Sequence, residues 1–168
     1  FISKFPTSAF GYKEKAAYLT DKAEYDAAAK VMEEGIKKSA AKDEAHSNYA
    51  DLIYQKIIYK GDSVYKDWTL DKAIAEAQKA YEIKAQPIYR HQEAQINFVK
   101  GEYQKAYDTF MDLTNTSLLS GELYFEAAQA KKNLKAPAKE IEVLLDSAVS
   151  VGSKTGMVAN YYLARGEF

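Results

Sequence analysis

Cysteine is missing from all 168 residues, and with it go disulfides, thiolate nucleophiles and thiolate zinc clusters. Histidine occurs only twice, too few to fill the three or four ligand places of a zinc site, and no HExxH spacing is present. Neither sign of charge dominates. Against 24 Asp and Glu stand 23 Lys and Arg, so no basic field is available to neutralise a phosphate backbone, and nucleic acid is excluded as the main partner. Long apolar runs are lacking too. No window approaches the roughly 18 apolar residues of a membrane helix, and residues 1–20 lack a basic start followed by an apolar run, so no membrane insertion is expected. The absence of thiols fits a reducing cytoplasm as well as a bacterial periplasm or envelope, and the two stay open.

What is present is the composition of a folded protein: 47% hydrophobic and 28% charged residues, enough apolar surface for one continuous domain over residues 1–168. Four segments share one pattern, a bulky or apolar residue followed three, seven and ten places later by small or apolar ones. They are Tyr25, Ala28, Met32, Gly35; Leu70, Ala73, Ala77, Ala80; Tyr103, Ala106, Phe110, Leu113; and Ala138, Ile141, Leu145, Ala148. Steps of three and four mark one stripe of an α-helix. Each stripe is preceded by a small residue in a matching place, Ala16, Ala50, Ala94 and Ala128, with 34 residues from Ala16 to Ala50 and again from Ala94 to Ala128.

On these residues the sequence resembles the tetratricopeptide repeat family, whose unit is a helix-turn-helix of about 34 residues with a small residue in each helix. The likeness is closest where Pro87 opens a helix and Lys100-Gly101-Glu102-Tyr103 makes the turn. It implies an all-α fold, an α-α superhelix or solenoid of stacked antiparallel helix pairs. About four units are expected, over 8–40, 43–85, 87–116 and 120–151. A partial fifth at 155–168 repeats the layout of the third through Ala159, Tyr162, Gly166 and Phe168. Residues 1–6 read as the tail of a preceding unit, so the chain is expected to be a fragment of a longer bacterial repeat protein. The family's Trp-x-x-Leu-Gly-x-x-Tyr signature is absent, and the second unit carries about 11 extra residues in its internal loop, Lys60 to Leu70.

The resemblance further implies that the first helix of each unit lines a concave groove for a peptide or partner protein. That places Lys13, Asp51, Tyr54, His91, Gln95, Phe98, Phe125, Gln129 and Lys132 on or near the groove. A subset of the family grips a carboxylate with five Lys, Asn and Arg ligands. Here only Lys13 and Asn48 match, with Ala17, Ile88 and Gln92 in the other places, so that specificity is rejected.

His46 and His91 fall on first helices of adjacent units and read either as a paired site or as surface and groove histidines. Tyr65 and Trp68 in the long loop either pack down as a flap or contact a partner. Glu33-Glu34 with Lys37-Lys38 suit ion pairs on a wet helix face. Gly152 and Gly156 flank a linker, with no GxxxxGK[ST] loop.

The expected function is a protein-binding scaffold or adaptor, with no catalytic, cofactor or metal residues. The alternative is a structural module of an envelope complex that self-assembles into homo-oligomers through uncapped ends. A hydrolase is a remote third, because no pair of carboxylates stands in an apolar context that would separate their pKa values.

Overall fold

The computed structural model describes residues 2–61 and 65–152. Among the described residues eight helices follow one another: α1 (Ala9–Asp21), α2 (Tyr25–Lys38), α3 (Lys42–Lys60), α4 (Leu70–Ile83), α5 (Pro87–Lys100), α6 (Tyr103–Leu113), α7 (Gly121–Asn133) and α8 (Ala138–Gly152). No strand occurs among the described residues. The fold is all-helical, as expected, and consecutive helices pack as pairs, α1 with α2, α3 with α4, α7 with α8. The expected fifth unit and the Gly152–Gly156 linker lie largely outside the described residues. The chain divides into two compact units, Phe1–Ile96 and Asn97–Phe168.

The periodic stripes account for the second helix of every pair. Tyr25, Leu70, Tyr103 and Ala138 are each the first residue of a helix, and the small and apolar residues that follow at three, seven and ten places are buried. The alanines Ala16, Ala50, Ala94 and Ala128 have no exposed surface at all. In the first unit these positions enclose a core of Tyr12, Met32, Tyr49, Ile53 and Trp68. The second unit has its own, built on Phe110, Leu113, Leu123, Ile141 and Leu145.

Three of the turns inside helix pairs share one backbone solution. Ala23, Gly101 and Lys135 take positive φ of 61°, 90° and 57°. Each donates its N–H three residues back, to Thr20, Phe98 and Lys132, while the next residue donates five back, to Leu19, Asn97 and Lys131. This is the Schellman motif, which satisfies the last carbonyls of a helix and reverses the chain. Two of the three positions are not glycine and carry the cost of a left-handed L-residue, about 1 kcal/mol each. The pair α3/α4 departs from the pattern. Its first helix runs to Lys60, its second begins only at Leu70, and Thr69 caps α4 by accepting a hydrogen bond from the Lys72 N–H at 3.0 Å.

Charge follows the helix dipole where α2 gives way to α3. Lys42 Nζ donates to the carbonyls of Ile36 and Lys37 at the end of α2, and Asp43 and Glu44 occupy the first turn of α3. The expected i,i+4 pair forms between Lys38 and Glu34 at 2.6 Å. Buried tyrosines find partners for their hydroxyls: Tyr12 donates to the Pro6 carbonyl at 2.9 Å and Tyr89 to Asp43 Oδ2 at 2.8 Å.

Gly35 sits where the Tyr12 ring crosses α2. A Cβ added there would lie 2.8 Å from both Cβ and Cγ of Tyr12, closer than packed carbon atoms come. In an open helix Gly→Ala stabilises by about 1 kcal/mol. Here overpacking reverses the sign, and Gly35→Ala is expected to lower stability by about 1–3 kcal/mol, measured by urea denaturation.

Candidate functional site

The first-helix side of the first unit is laced by polar links that run from helix to helix. Lys13 Nζ on α1 pairs with Asp51 Oδ2 on α3 at 3.1 Å, and the other carboxylate oxygen of Asp51 accepts from Gln55 Nε2 at 3.1 Å. One turn further along α3, Lys56 reaches back to Asp21 at the end of α1, at 3.0 Å. Between α3 and α5, Ser47 Oγ donates to Gln92 Oε1 at 3.0 Å while Gln92 Nε2 donates to the Ser47 carbonyl at 2.9 Å. Each such surface contact adds little by itself, about 0–1 kcal/mol. Together they fix the spacing of three neighbouring helices.

Of the residues expected on the groove, Lys13 and Asp51 are therefore bound to one another. Tyr54 is half-buried and packs against the core of the first unit. His91 and Gln95 are half-buried, one turn apart on the same face of α5. In the second unit, Phe98 meets Tyr103 edge to face at 5.3 Å between ring centres. Phe125, Gln129 and Lys132 follow at steps of four and three along α7, the first two half-buried and Lys132 exposed, and the Gln129 carbonyl accepts from Asn133 Nδ2 at 2.9 Å.

The two histidines part company. His46 is committed to Glu76 on α4, Nδ1 to Oε2 at 2.6 Å, with side chains only 12% and 9% exposed. A carboxylate only accepts, so the imidazole carries its proton on Nδ1 in this contact. Burial pushes the Glu76 carboxyl up, but the hydrogen bond from His46 and the charge of Lys79 outweigh it and hold the group below its ordinary value. The pair joins α3 to α4. No group of three His, Cys, Asp or Glu among the described residues could hold a metal ion.

Trp68 packs down, the flap arrangement of the two read for the long loop. It is 1% exposed, its ring edge-on to Tyr25, Tyr49 and Tyr65 at 5.8, 6.5 and 5.4 Å, and its Nε1 donates to the Tyr49 hydroxyl at 3.3 Å. An indole that finds three aromatic rings and an acceptor is buried at large gain, and it has no surface left for a partner. Tyr65 stays at the edge of the cluster and donates to Asp26 Oδ1 on α2 at 2.9 Å. That bond, then burial and the Asp26 charge, push its phenol up to about 12. Tyr65 and Trp68 thus clasp the second helix pair to the first.

Sequence reasoning missed the bonds of Asp43, Tyr89, Ser47 and Gln92, which hold α3 and α5 in place. Their bonding partners lie 45 or 46 residues apart, and no spacing rule announces them.

The helix pairs, matched turns and buried small residues agree with the resemblance to tetratricopeptide repeats. The chain is similar to the crystal structure of YrrB, a TPR protein with an unusual peptide-binding site, at 14% identity and a TM-score of 0.48, covering 99% of this chain and 96% of that one. At this level the likeness carries neither a ligand nor a binding face across. No protein-family model matches the sequence, and no curated protein matches it.

Because the Glu76 carboxyl is held low in the folded state, its contribution is present above the ordinary value of 4.5 and is lost as pH falls through the lowered one. Glu76→Gln is expected to cost about 1 kcal/mol at pH 7 and to flatten the fall in melting temperature below pH 4.5, read by circular dichroism across pH 3–7.

Proposed function

We propose that this chain is a scaffold that holds a peptide or partner protein against the first-helix face of its first unit, at Tyr54, His91 and Gln95. The observation that supports this most is the cross-helix lacing by Lys13–Asp51, Lys56–Asp21 and Ser47–Gln92. It holds backbones that present half-buried, hydrogen-bonding and aromatic side chains at fixed spacing. Side chains in that state lose little further freedom on binding, and a preorganised face keeps more of its contact energy as affinity. Tyrosine is also a common interface anchor, because it combines large apolar area with a hydroxyl and few rotatable bonds. In the second unit Phe98, Phe125, Gln129 and Lys132 supply an equivalent row. With Lys13 and Asp51 the set is polar and aromatic with both signs of charge, which suits a mixed peptide or protein surface better than nucleic acid. Among the described residues no helix is long and apolar enough to cross a membrane.

A second reading, self-assembly into homo-oligomers, has its own support in Phe10 and Tyr18. Both are more than half exposed on α1, and Tyr18 borders an open cleft of about 420 Å³ that includes Ile2 and Gly11. A monomer by light scattering at high concentration would dismiss it.

The binding test is affinity capture from lysate of the source cell with the intact chain and with a Tyr54→Ala, His91→Ala, Gln95→Ala variant side by side. A partner held by the first and reduced about tenfold or more with the second, at unchanged helical content, is the expected result. Equal retention by both contradicts the assignment of the face.

A further inference from the structure

The second unit carries a cleft that the groove reading does not use. It is an open trough of about 650 Å³ between the second helices α6 and α8, with the end of α7 and Pro137 behind it. The stripes of those two helices, Ala106 and Phe110 on one and Ile141 and Leu145 on the other, are spent in the core. The neighbouring strips line the cleft: Tyr107 and Met111 from α6, and Val143 and Leu144 from α8. Val143 leaves 57% of its surface in water, an aliphatic residue at the mouth of an apolar trough.

The polar groups at that mouth are not neutral. Lys131 Nζ stands 4.5 Å over the centre of the Tyr107 ring and 3.1 Å from Glu140 Oε2, so that its charge is pinned between α6 and α8 with the side chain 20% exposed. An ammonium has three donors, and Glu140 takes one of them. Lys139, on the same rim, is exposed and forms no ion pair among the described residues. Two cations face one carboxylate across an apolar floor, which leaves an excess positive charge where a ligand would enter.

We propose that this cleft is a second binding site, for an acidic peptide segment with a bulky apolar side chain. The apolar side chain seats on Met111, Val143 and the Tyr107 edge, and flanking carboxylates meet Lys131 and Lys139. The volume lies in the range of ligand clefts, roughly 300–1,000 Å³. Methionine in the floor suits side chains of varied shape, because its thioether re-packs at low cost. Charge complementarity selects the acidic partner over a basic one. The cleft shares no residue with the first-helix face, and neither assignment depends on the other.

The test uses the full chain labelled with ¹³C at the methionine methyl groups, titrated with an acetylated peptide Asp-Asp-Leu-Phe-Asp-Asp. The Met111 signal is expected to shift and saturate, while that of Met32, buried in the first unit, stays in place. Val143→Glu and Lys139→Glu change exposed side chains and should retain the fold, verified by circular dichroism. Each is expected to weaken the peptide by about tenfold. The Tyr54→Ala, His91→Ala, Gln95→Ala variant should bind it as the parent does. No shift at Met111, equal affinity for the peptide with Lys in place of Asp, or undiminished binding by both glutamate variants would each overturn the proposal. So would a Met111 signal that moves on dilution alone, since the occupant would then be a second copy of the chain.

Discussion

Helices whose axes approach to about 8 Å, the close end of the usual range, have room for little more than a methyl group at the point of closest contact. Ala16, Ala50, Ala94 and Ala128 sit on the first helices with no surface exposed, and Ala28, Ala73 and Ala106 do the same on second helices. In a stacked array each such contact also sets where the next pair begins, so an error at one is passed along the chain. The remaining features of the two units follow from that approach. Tyr12 crosses α2 because Gly35 lets it, and the first helices come near enough for Gln92 to bond both the hydroxyl and the carbonyl of Ser47 across the gap.

Around this framework the polar links set register. The bonds Asp43–Tyr89 and His46–Glu76 are buried or nearly so, and they tie α3 to α5 and to α4 respectively. Their energetic yield is small beside apolar burial, but a buried donor or acceptor left without its partner costs about 1–3 kcal/mol, which penalises slipped packings. Trp68 adds the same kind of specification through shape. Ringed by Tyr25, Tyr49 and Tyr65, it brings the stretch just before α4 into the first unit's core.

The helical stripes were legible because burial on one face forces a period. Tyr25, Leu70, Tyr103 and Ala138, read as the heads of four stripes, are the first residues of four helices. Loops impose no such period, and the inward turn of Trp68 left no mark in the order of residues beyond the choice of an aromatic. Left-handed turns at Ala23 and Lys135 were equally silent, since only Gly101 among the three carries the residue type that signals one. At the candidate site, helical phase placed Lys13 and Asp51 on one side of the first unit. Their attachment to each other depends on the spacing of α1 and α3, which is tertiary information. The cleft at Val143 was hidden for a related reason: a single exposed valine on a helix is unremarkable until a neighbouring helix supplies the opposite wall.

The measurement that bears most directly on the close-approach account is urea denaturation of Ala50→Leu beside Ala75→Leu, followed through the fluorescence of Trp68. Ala75 is exposed on α4, so leucine there tests bulk without contact. Ala50→Leu should lose about 1–3 kcal/mol more than Ala75→Leu, with an earlier change in the Trp68 signal. Equal stabilities, within about 0.5 kcal/mol, would show that the helices do not need a small residue at that point and would contradict the account.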